Sequence, residues 1–478
     1  MQSYETVIGL EIHVQLATRS KAFCADNAAF GGAPNTHTSA ISLAHPGTLP
    51  RLNEKAVEYA VRLGLALGCD INLNSSFDRK NYFYADLPKG YQITQDQQPI
   101  CRGGQLIIHG NTATTIRIHH IHLEEDAGKS LHDQDPNFSF IDLNRAGVPL
   151  LEIVTEPDLR SADEAAACME TIRHLVRWLD ISDGNMEEGS LRCDVNVSVR
   201  KKGDPAFGTR CEIKNINSMR FARRAIEFET SRQIEILENG GIIEQETRGF
   251  DPASGLTFSL REKEQAHDYR YFPEPDLPPV RISTEKLEQI RASMPPLPHA
   301  LELEFQTVYQ LPAHDTEQLV QDRQTAVYFQ NLVSEGNPPA KLLANLVIHK
   351  LLPWSAESGR SLADCPVRPP QWREFVGLID TGKISATAAN QQLFPALLEQ
   401  PGSSPGQLAE NLQLLQTADA GLLEQLADEV LARHPDKVTA YRKGKKGLLG
   451  FFMGELMKAS RGKADPKAAT AVLVERLG

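Results

Sequence analysis

The chain has 478 residues, 41% of them hydrophobic and 23% charged, enough apolar material for about two to four packed domains. Its net charge of −12 excludes a general nucleic-acid coat and leaves room only for a local basic patch. Seven scattered cysteines without a Cys-x-x-Cys pair exclude a disulfide framework, and no leader-like or membrane-length apolar run occurs, so the chain reads as a soluble cytoplasmic protein.

Residues 4–16 alternate as a strand that places Glu11 and His13 on one face. A carboxylate and an imidazole at that spacing can grip one cation, or can simply form the polar face of an edge strand. Residues 23–50 are irregular and rich in Gly, Pro, Asn and Ser, and Asn53 then caps a helix. The run Asp78–Gln92 interleaves Arg79, Lys80 and Lys89 with tyrosines, a composition that suits phosphate pairing and ring stacking more than a plain surface loop.

The central stretch is His120-Ile-His-Leu-Glu-Glu-Asp-Ala-Gly-Lys-Ser130. Strand alternation puts His120, His122 and Glu124 on one face and Ile121, Leu123 and Glu125 on the other. Glu124, Glu125 and Asp126 form either a solvated acidic turn or an oxygen-rich Mg²⁺ or Mn²⁺ site, with Lys129 placed to meet a phosphate. Glu152 is a lone acid in the apolar run 150–154, and a buried carboxylate needs a partner or a metal. Ser161 and Glu164 form a capping box for a helix. Residues 191–217 read as a hairpin whose Asp194, Asn196, Glu212 and Lys214 make a solvated sheet face or a polar floor for a nucleotide. Ser218 opens a further helix ending at Asn239.

The segment His267–Asp276, with Arg270 among tyrosines and acids, closes the first domain. Prolines from 273 to 298 mark a linker, the following pattern is helical, and Pro401–Gly406 resembles a second hinge. Between 434 and 467 nine Lys/Arg stand against three acids, a patch suited equally to an RNA backbone and to solubility.

Taken together, Val7–Val14, Asp78–Gln92, Leu123–Ser130, Glu187–Asp194, Glu212–Ser218, Asp268–Asp276 and Gly450–Ala459 resemble the B subunits of the tRNA-dependent glutamyl/aspartyl amidotransferases. The resemblance implies an α+β chain. Its parts would be a cradle-like, kinase-type domain on a largely antiparallel sheet (1–293), an all-α domain (294–400) and a small helical tail (401–478). It implies a heterotrimer with a small C subunit and an amidase-type A subunit. The B subunit would use ATP and Mg²⁺ to phosphorylate glutamate on tRNA(Gln) or aspartate on tRNA(Asn), and ammonia released by its amidase-type partner would displace the phosphate.

The resemblance maps metal ligands onto Glu11, His13, Glu125 and Glu152, with Glu124 as the adjoining alternative. Lys129 joins them as a catalytic residue. Arg79, Lys80, Lys89, Asp194, Glu212, Lys214 and Arg270 are the nucleotide-binding candidates. Some members bind zinc through four cysteines near Cys24. Here Asp26, Ser39 and Ser42 stand where the others are expected, so no zinc is expected.

Phosphoryl transfer is mainly positioning and charge neutralisation, which fits this set of acids and cations. No Walker A motif occurs, so an ATP site must be of another kind. A metal-dependent phosphoesterase or a non-catalytic tRNA-binding scaffold are the competing readings.

Overall fold

The computed structural model describes residues 3–109, 113–135, 137–261, 269–416, 420–460 and 464–478. His267 and Asp268 of the closing segment, and Arg461 and Lys463 of the basic patch, lie outside the described residues. The chain divides into two compact units, Met1–Leu297 and Pro298–Gly478, the division falling at the end of the proline-marked segment 273–298.

The first unit opens with β1 (Tyr4–Gln15). After the irregular segment come α1 (Glu54–Ala66) and the short strands β2 (Asp70–Ile71), β3 (Asn74–Ser75), β4 (Asp78–Asn81), β5 (Tyr91–Thr94), β6 (Cys101–Arg102) and β7 (Gln105–His109). Next follow β8 (Ala113–Glu125), the hairpin β9 (Lys129–Asp135) and β10 (Phe138–Asp142), β11 (Pro149–Thr155) and α2 (Ala162–Trp178). The unit ends with β12 (Leu191–Lys201), β13 (Cys211–Ile216), α3 (Met219–Glu238), β14 (Thr247–Asp251), β15 (Leu256–Arg261), β16 (Phe272–Pro273), β17 (Val280–Arg281) and α4 (Thr284–Ala292).

Ten strands form one sheet in the order β15-β14-β13-β12-β1-β11-β8-β6-β2, with β7 also paired to β8. The β13–β14 pair is parallel, and the other pairs of this sheet are antiparallel. The long strands alternate cleanly. Ile8, Leu10, Ile12 and Val14 of β1, Leu151 and Ile153 of β11, and Ile121 and Leu123 of β8 pack beneath α1, α2 and α3 against Val61, Ile172, Val176 and Ile226. Each such side chain contributes about 1.5–3 kcal/mol on leaving water. Covering one face with helices leaves the opposite face of the sheet free for polar side chains.

Local signals explain the helix starts. Asn53 accepts from the Lys55 N–H, and Ser161 accepts from the Glu164 N–H. The expected capping box is offset by one residue: Glu164 accepts at 2.7 Å from the Arg160 N–H, not from that of Ser161. Gly64 of α1 permits close approach to the sheet, since a Cβ there would lie 2.5 Å from Cys101 Sγ.

The second unit is helical. Its 401–406 segment is not an open hinge. Gln371 Nε2 donates to the carbonyls of Pro401 (2.8 Å) and Ser403 (2.7 Å), and Glu374 accepts from Ser404 Oγ (2.8 Å) and the Gly406 N–H (2.9 Å). Proline, glycine and serine there terminate helices while their backbone is tied to the Pro369–Asp380 helix. The tail has its own small core of Leu423, Ala427, Val430, Phe452, Leu456, Leu473 and Leu477. Among the described residues no helix is long and apolar enough to cross a membrane.

Candidate metal and nucleotide site

Three neighbouring strands carry the site. His13 of β1 lies directly opposite Glu152 of β11, which lies directly opposite His122 of β8. The three side chains therefore form a row across the polar face. His13 Nε2 is 3.3 Å from Glu152 Oε2, and His122 Nε2 is 3.5 Å from the same oxygen. Glu124, two residues beyond His122 and so on the same face, brings Oε2 to 3.3 Å from His122 Nε2. Ligand atoms of His13, Glu124 and Glu152 all lie within 4.8 Å of one another.

The electrostatics follow from this crowding. Burial works against the charged imidazole of His13, but Glu152 outweighs it and pushes its pKa up to about 9. His122 is raised too, burial being overcome by Glu152 and Glu124. Burial would raise the Glu152 carboxyl, yet His122 and His13 hold it well below the usual carboxylate range. His120 is pushed down to about 4 by burial and by the neighbouring His122 and His119.

The expected quartet of Glu11, His13, Glu125 and Glu152 is not what the fold brings together. Glu125 points to the other side of β8. There it accepts from Lys89 Nζ at 2.6 Å and from the Ile93 N–H at 3.0 Å, and it lines a separate cavity of about 210 Å³ with Cys24 and His45. The two-residue strand period sets this placement: the acid that shares a face with His122 is Glu124.

Glu11 belongs to an adjoining cluster with Asp194 and Glu212, within 4.8 Å of one another. Asn196 Nδ2 donates to Glu11 at 2.9 Å, and Lys214 Nζ sits 3.0 Å from Asp194 and 2.9 Å from Glu212. Burial and the nearby Glu152 raise the Glu11 carboxyl. For Lys214, burial is outweighed by Asp194 and Glu212, which hold its ammonium above its ordinary range.

Lys80 approaches the row from β4. Burial would lower its pKa, but Glu124, Tyr271 and Glu152 raise it, and its ammonium lies 4.9 Å from the centre of the Tyr269 ring. Tyr82, Tyr84, Tyr269 and Tyr271 form an edge-to-face wall here, with centroids 5.7–6.1 Å apart. Thr94 Oγ1 of β5 donates to Glu124 at 2.9 Å.

Arg79, expected at a nucleotide, is already occupied. It makes a two-pronged pair with the buried Glu274 at 2.8 and 2.9 Å, reaches Asp276 at 3.0 Å, and lies 4.1 Å over the Tyr91 ring. This clamp ties the 272–276 segment to β4. Arg79→Ala is expected to cost on the order of 2 kcal/mol and to expose this segment to limited proteolysis, against an uncleaved wild type. Arg270 is exposed with φ of 47°, its carbonyl accepting from Asn81 Nδ2 at 2.9 Å. Lys129 is exposed at the head of β9, in register with Asp142, and takes no part in the ion pairs of the row.

Two residues escape a reading of the sequence as site elements. His122 falls on the expected face, but its spacing alone assigns it no role. Asp126 reads as one more acid, yet it is a structural hub, 2.9 Å from Arg192, 3.7 Å from Arg145 and 2.6 Å from Gln15 Nε2. Beside Glu11 lies a groove of about 1140 Å³, floored by Gly9, Asn196 and Ser198 and walled by Phe207, Ile242 and Pro157. Sequence offers no signal for it, because its walls come from loops distant in the chain.

In the irregular segment Asp26, held low against its burial by Ser42, Ser39 and Cys24, accepts from Ser42 Oγ at 2.5 Å. Ser42 Oγ in turn accepts from the Ser39 N–H at 2.9 Å. The Cys24 thiol is pushed up to about 11, chiefly by burial.

Residues 6–288 match the family described as GatB/GatE catalytic domain, and residues 327–477 match the GatB domain. Among similar proteins is the B subunit of the aspartyl/glutamyl-tRNA(Asn/Gln) amidotransferase of Nitratidesulfovibrio vulgaris strain Hildenborough, 49% identical over 479 residues and covering 100% of both chains. Its counterparts in Persephonella marina (48% over 475 residues, 99% of each chain) and Syntrophotalea carbinolica (50% over 476 residues, 99% and 98%) are similar to the same extent. Matched over more than half its length by one family and end to end by relatives at this identity, the chain belongs to the GatB/GatE family.

Proposed function

We propose that this chain is the subunit of an ATP-dependent, tRNA-dependent amidotransferase that activates the side-chain carboxylate of glutamate on tRNA(Gln), of aspartate on tRNA(Asn), or of both. The observation that carries the reading is the His13–Glu152–His122 row with Glu124, lying across the open face of the sheet in a member of this family. We read 1–293 as a cradle-like kinase-type domain, 294–400 as helical and 401–478 as a tRNA-binding tail. The partners are a small C subunit and an amidase-type A subunit, and the complex works in the cytoplasm.

In the proposed reaction an oxygen of the tRNA-bound carboxylate attacks the γ-phosphorus of ATP, and ADP leaves. Ammonia then attacks the carbonyl carbon and phosphate leaves, giving the amide. The donor set of imidazole and carboxylates fits a divalent cation, Mg²⁺ in the simplest case, which when bound would neutralise phosphate charge. Lys80, between the tyrosine wall and the two glutamates, is placed to pair with a transferring phosphoryl group. Lys214 is held by Asp194 and Glu212 at the other flank, where the Gly9-floored groove has room for a nucleotide. No zinc is needed to fold the 23–50 segment on this reading, since Asp26, Ser39 and Ser42 tie it by hydrogen bonds.

Five of the seven cysteines are buried, and burial raises all seven thiols above their ordinary pKa, which disfavours a thiolate for glutamine hydrolysis. The test is amidation of both misacylated tRNAs by the reconstituted complex, with the chain alone as control. Phosphate release without acylated tRNA would support a phosphoesterase, and full activity of the complex lacking this chain would leave it a scaffold.

The tail supplies a separate prediction. Arg442 donates to the Leu477 carbonyl at 3.0 Å, and Lys446 reaches the Gly478 carbonyl at 3.3 Å. Both thus cap the last helix, whereas Lys443 and Lys445 stand exposed. Reversing Lys443 and Lys445 to Glu is expected to weaken tRNA binding and to reduce the log–log salt slope by roughly one per lost phosphate contact. An unchanged slope would make the patch a solubility device.

A further inference from the structure

We propose that Tyr84 and Tyr271, the exposed ends of the tyrosine wall, are a stacking platform for an adenine ring, that of the terminal adenosine carrying the amino acid on the substrate tRNA. The inference rests on the reading that this chain acts on aminoacyl-tRNA.

Four rings make the wall, in the order Tyr84, Tyr82, Tyr269 and Tyr271. Adjacent centroids are 5.7, 6.1 and 6.0 Å apart, with planes inclined by 67–73°. Two rings come from the loop after β4 and two from the segment before β16, at the far end of the unit. Asn81 joins the halves. Its N–H donates to the Tyr269 carbonyl at 3.0 Å, and its Nδ2 donates to the carbonyls of Tyr269 (3.1 Å) and Arg270 (2.9 Å). Arg270 has φ of 47°, a conformation that residues other than glycine keep only where their surroundings impose it. Tyr82 and Tyr269 are half-buried inside the wall, whereas Tyr84 is 53% exposed and Tyr271 40%. A tyrosine kept for packing buries its ring. The two end rings instead present aromatic surface to solvent beside the row.

Position decides which adenosine fits. The strand order β13-β12-β1-β11-β8 gives the open face two flanks about the His13–Glu152 pair. On the β12–β13 flank stand Glu11, Asp194, Glu212 and Lys214 beside the Gly9-floored groove. On the β8 flank stand Glu124, Lys80 and the wall. Burial works against the charge of Lys80, but Glu124, Tyr271 and Glu152 restore it, and its ammonium lies 4.9 Å from the Tyr269 ring centre. Phosphoryl transfer is roughly in line, so the attacking and leaving oxygens sit on opposite sides of phosphorus. With ATP in the groove, the leaving oxygen faces the β12 flank and the attacking carboxylate arrives from the β8 flank. The amino acid is esterified to the ribose of the terminal adenosine. Its base is therefore held within about one side chain's length of the row, on the side of the wall.

The chemistry of the contact matches the substrate class. Aromatic rings bind unpaired bases by stacking, with little demand for sequence. A subunit that takes tRNA(Gln), tRNA(Asn) or both meets the same terminal adenosine each time, so one platform serves either.

The test uses the reconstituted complex with two probes. Glutamyl-tRNA(Gln) serves for kinetics, and the same tRNA ending in 2-aminopurine reports stacking by quenching of its fluorescence. The wild type is expected to quench the probe. Tyr84→Ala and Tyr271→Ala should weaken quenching and raise KM for glutamyl-tRNA on the order of 10-fold, with the rate at saturating tRNA and the KM for ATP changed much less. Tyr84→Phe and Tyr271→Phe should restore both readouts, because the ring and not the hydroxyl makes the contact. A raised KM for ATP with an unchanged KM for tRNA would give the wall to the adenosine of ATP and overturn the inference. Dissociation of the complex in the Ala variants, with the tRNA probe still quenched, would make the wall a contact for a partner subunit and overturn it too. Absence of quenching in the wild type overturns it without any variant. A wild type that quenches the probe but phosphorylates no tRNA-bound glutamate would leave the platform standing and overturn the proposed reaction.

Discussion

Glu124→Gln is expected to lower ATP-dependent phosphorylation of tRNA-bound glutamate by roughly 10²–10³, the usual cost of removing a charge that stabilises a transferring group. Gln keeps the size of the side chain and can still accept from Thr94 Oγ1, so the fold should survive. What disappears is one negative charge beside His13, Glu152 and His122, and hard cations bind a neutral amide far less well. Glu125→Gln should behave differently. Its carboxylate is 2% exposed and holds Lys89 and the Ile93 N–H on the other side of the strand. Its loss should cost about 1–3 kcal/mol of stability and leave Mn²⁺ binding intact. The measurement is phosphorylation and Mn²⁺ affinity in both variants of the same complex. Loss of metal binding in Glu125→Gln with retention in Glu124→Gln would reverse the assignment and restore the ligand set first expected from the sequence.

That pair of glutamates shows how far the sequence can be read. The period-two pattern of 120–125 already puts Glu124 with His122 and Glu125 with Ile121 and Leu123, and β8 adopts that pattern. The resemblance maps a ligand onto Glu125 with Glu124 adjoining, and the fold puts Glu124 beside His13 and Glu152. Glu152 is legible for a physical reason: a carboxylate inside an apolar strand must have partners, and it has two. Glu11 and His13 share a face as expected, yet they join different clusters. Strand register, which sequence does not carry, sets Glu11 opposite Asp194 while His13 meets Glu152. Arg79 has a partner that composition does not announce: Glu274, almost two hundred residues away, holds its guanidinium. The 401–406 segment is similar, because turn-forming residues reveal where helices stop and not whether the turn is tied down.

Glu229→Ala is expected to destabilise the first unit by about 3–5 kcal/mol, because it leaves buried cations without their counter-charge. Glu229 lies on α3 and is 0% exposed. Its oxygens accept from Arg232 (2.6 and 3.0 Å), Gln233 (2.8 Å) and Thr257 (3.0 Å), and Arg248 Nε is 3.3 Å away. The network pins β14 and β15, the outer edge of the sheet, to the helix behind it. Burial alone would raise the Glu229 carboxyl, but Arg232, Gln233 and Arg248 outweigh it and hold its pKa below the ordinary value. A carboxyl depressed in the folded state contributes stability that is present above its unfolded pKa and lost as pH falls through the folded one. Wild-type stability should therefore decline in acid below about pH 4.5, and the Glu229→Ala chain should lack that part of the decline. Glu229→Gln should fall between the two, keeping hydrogen bonds but leaving Glu246 as the nearby carboxylate facing Arg232 and Arg248. Urea unfolding at pH 7 and pH 4 measures the effect, and amide hydrogen exchange should place it at 247–261. Mn²⁺ binding should persist below the unfolding range, since none of the row's ligands touches this network. An unchanged urea midpoint in Glu229→Ala would mean that α3 and the sheet edge hold together by apolar packing alone.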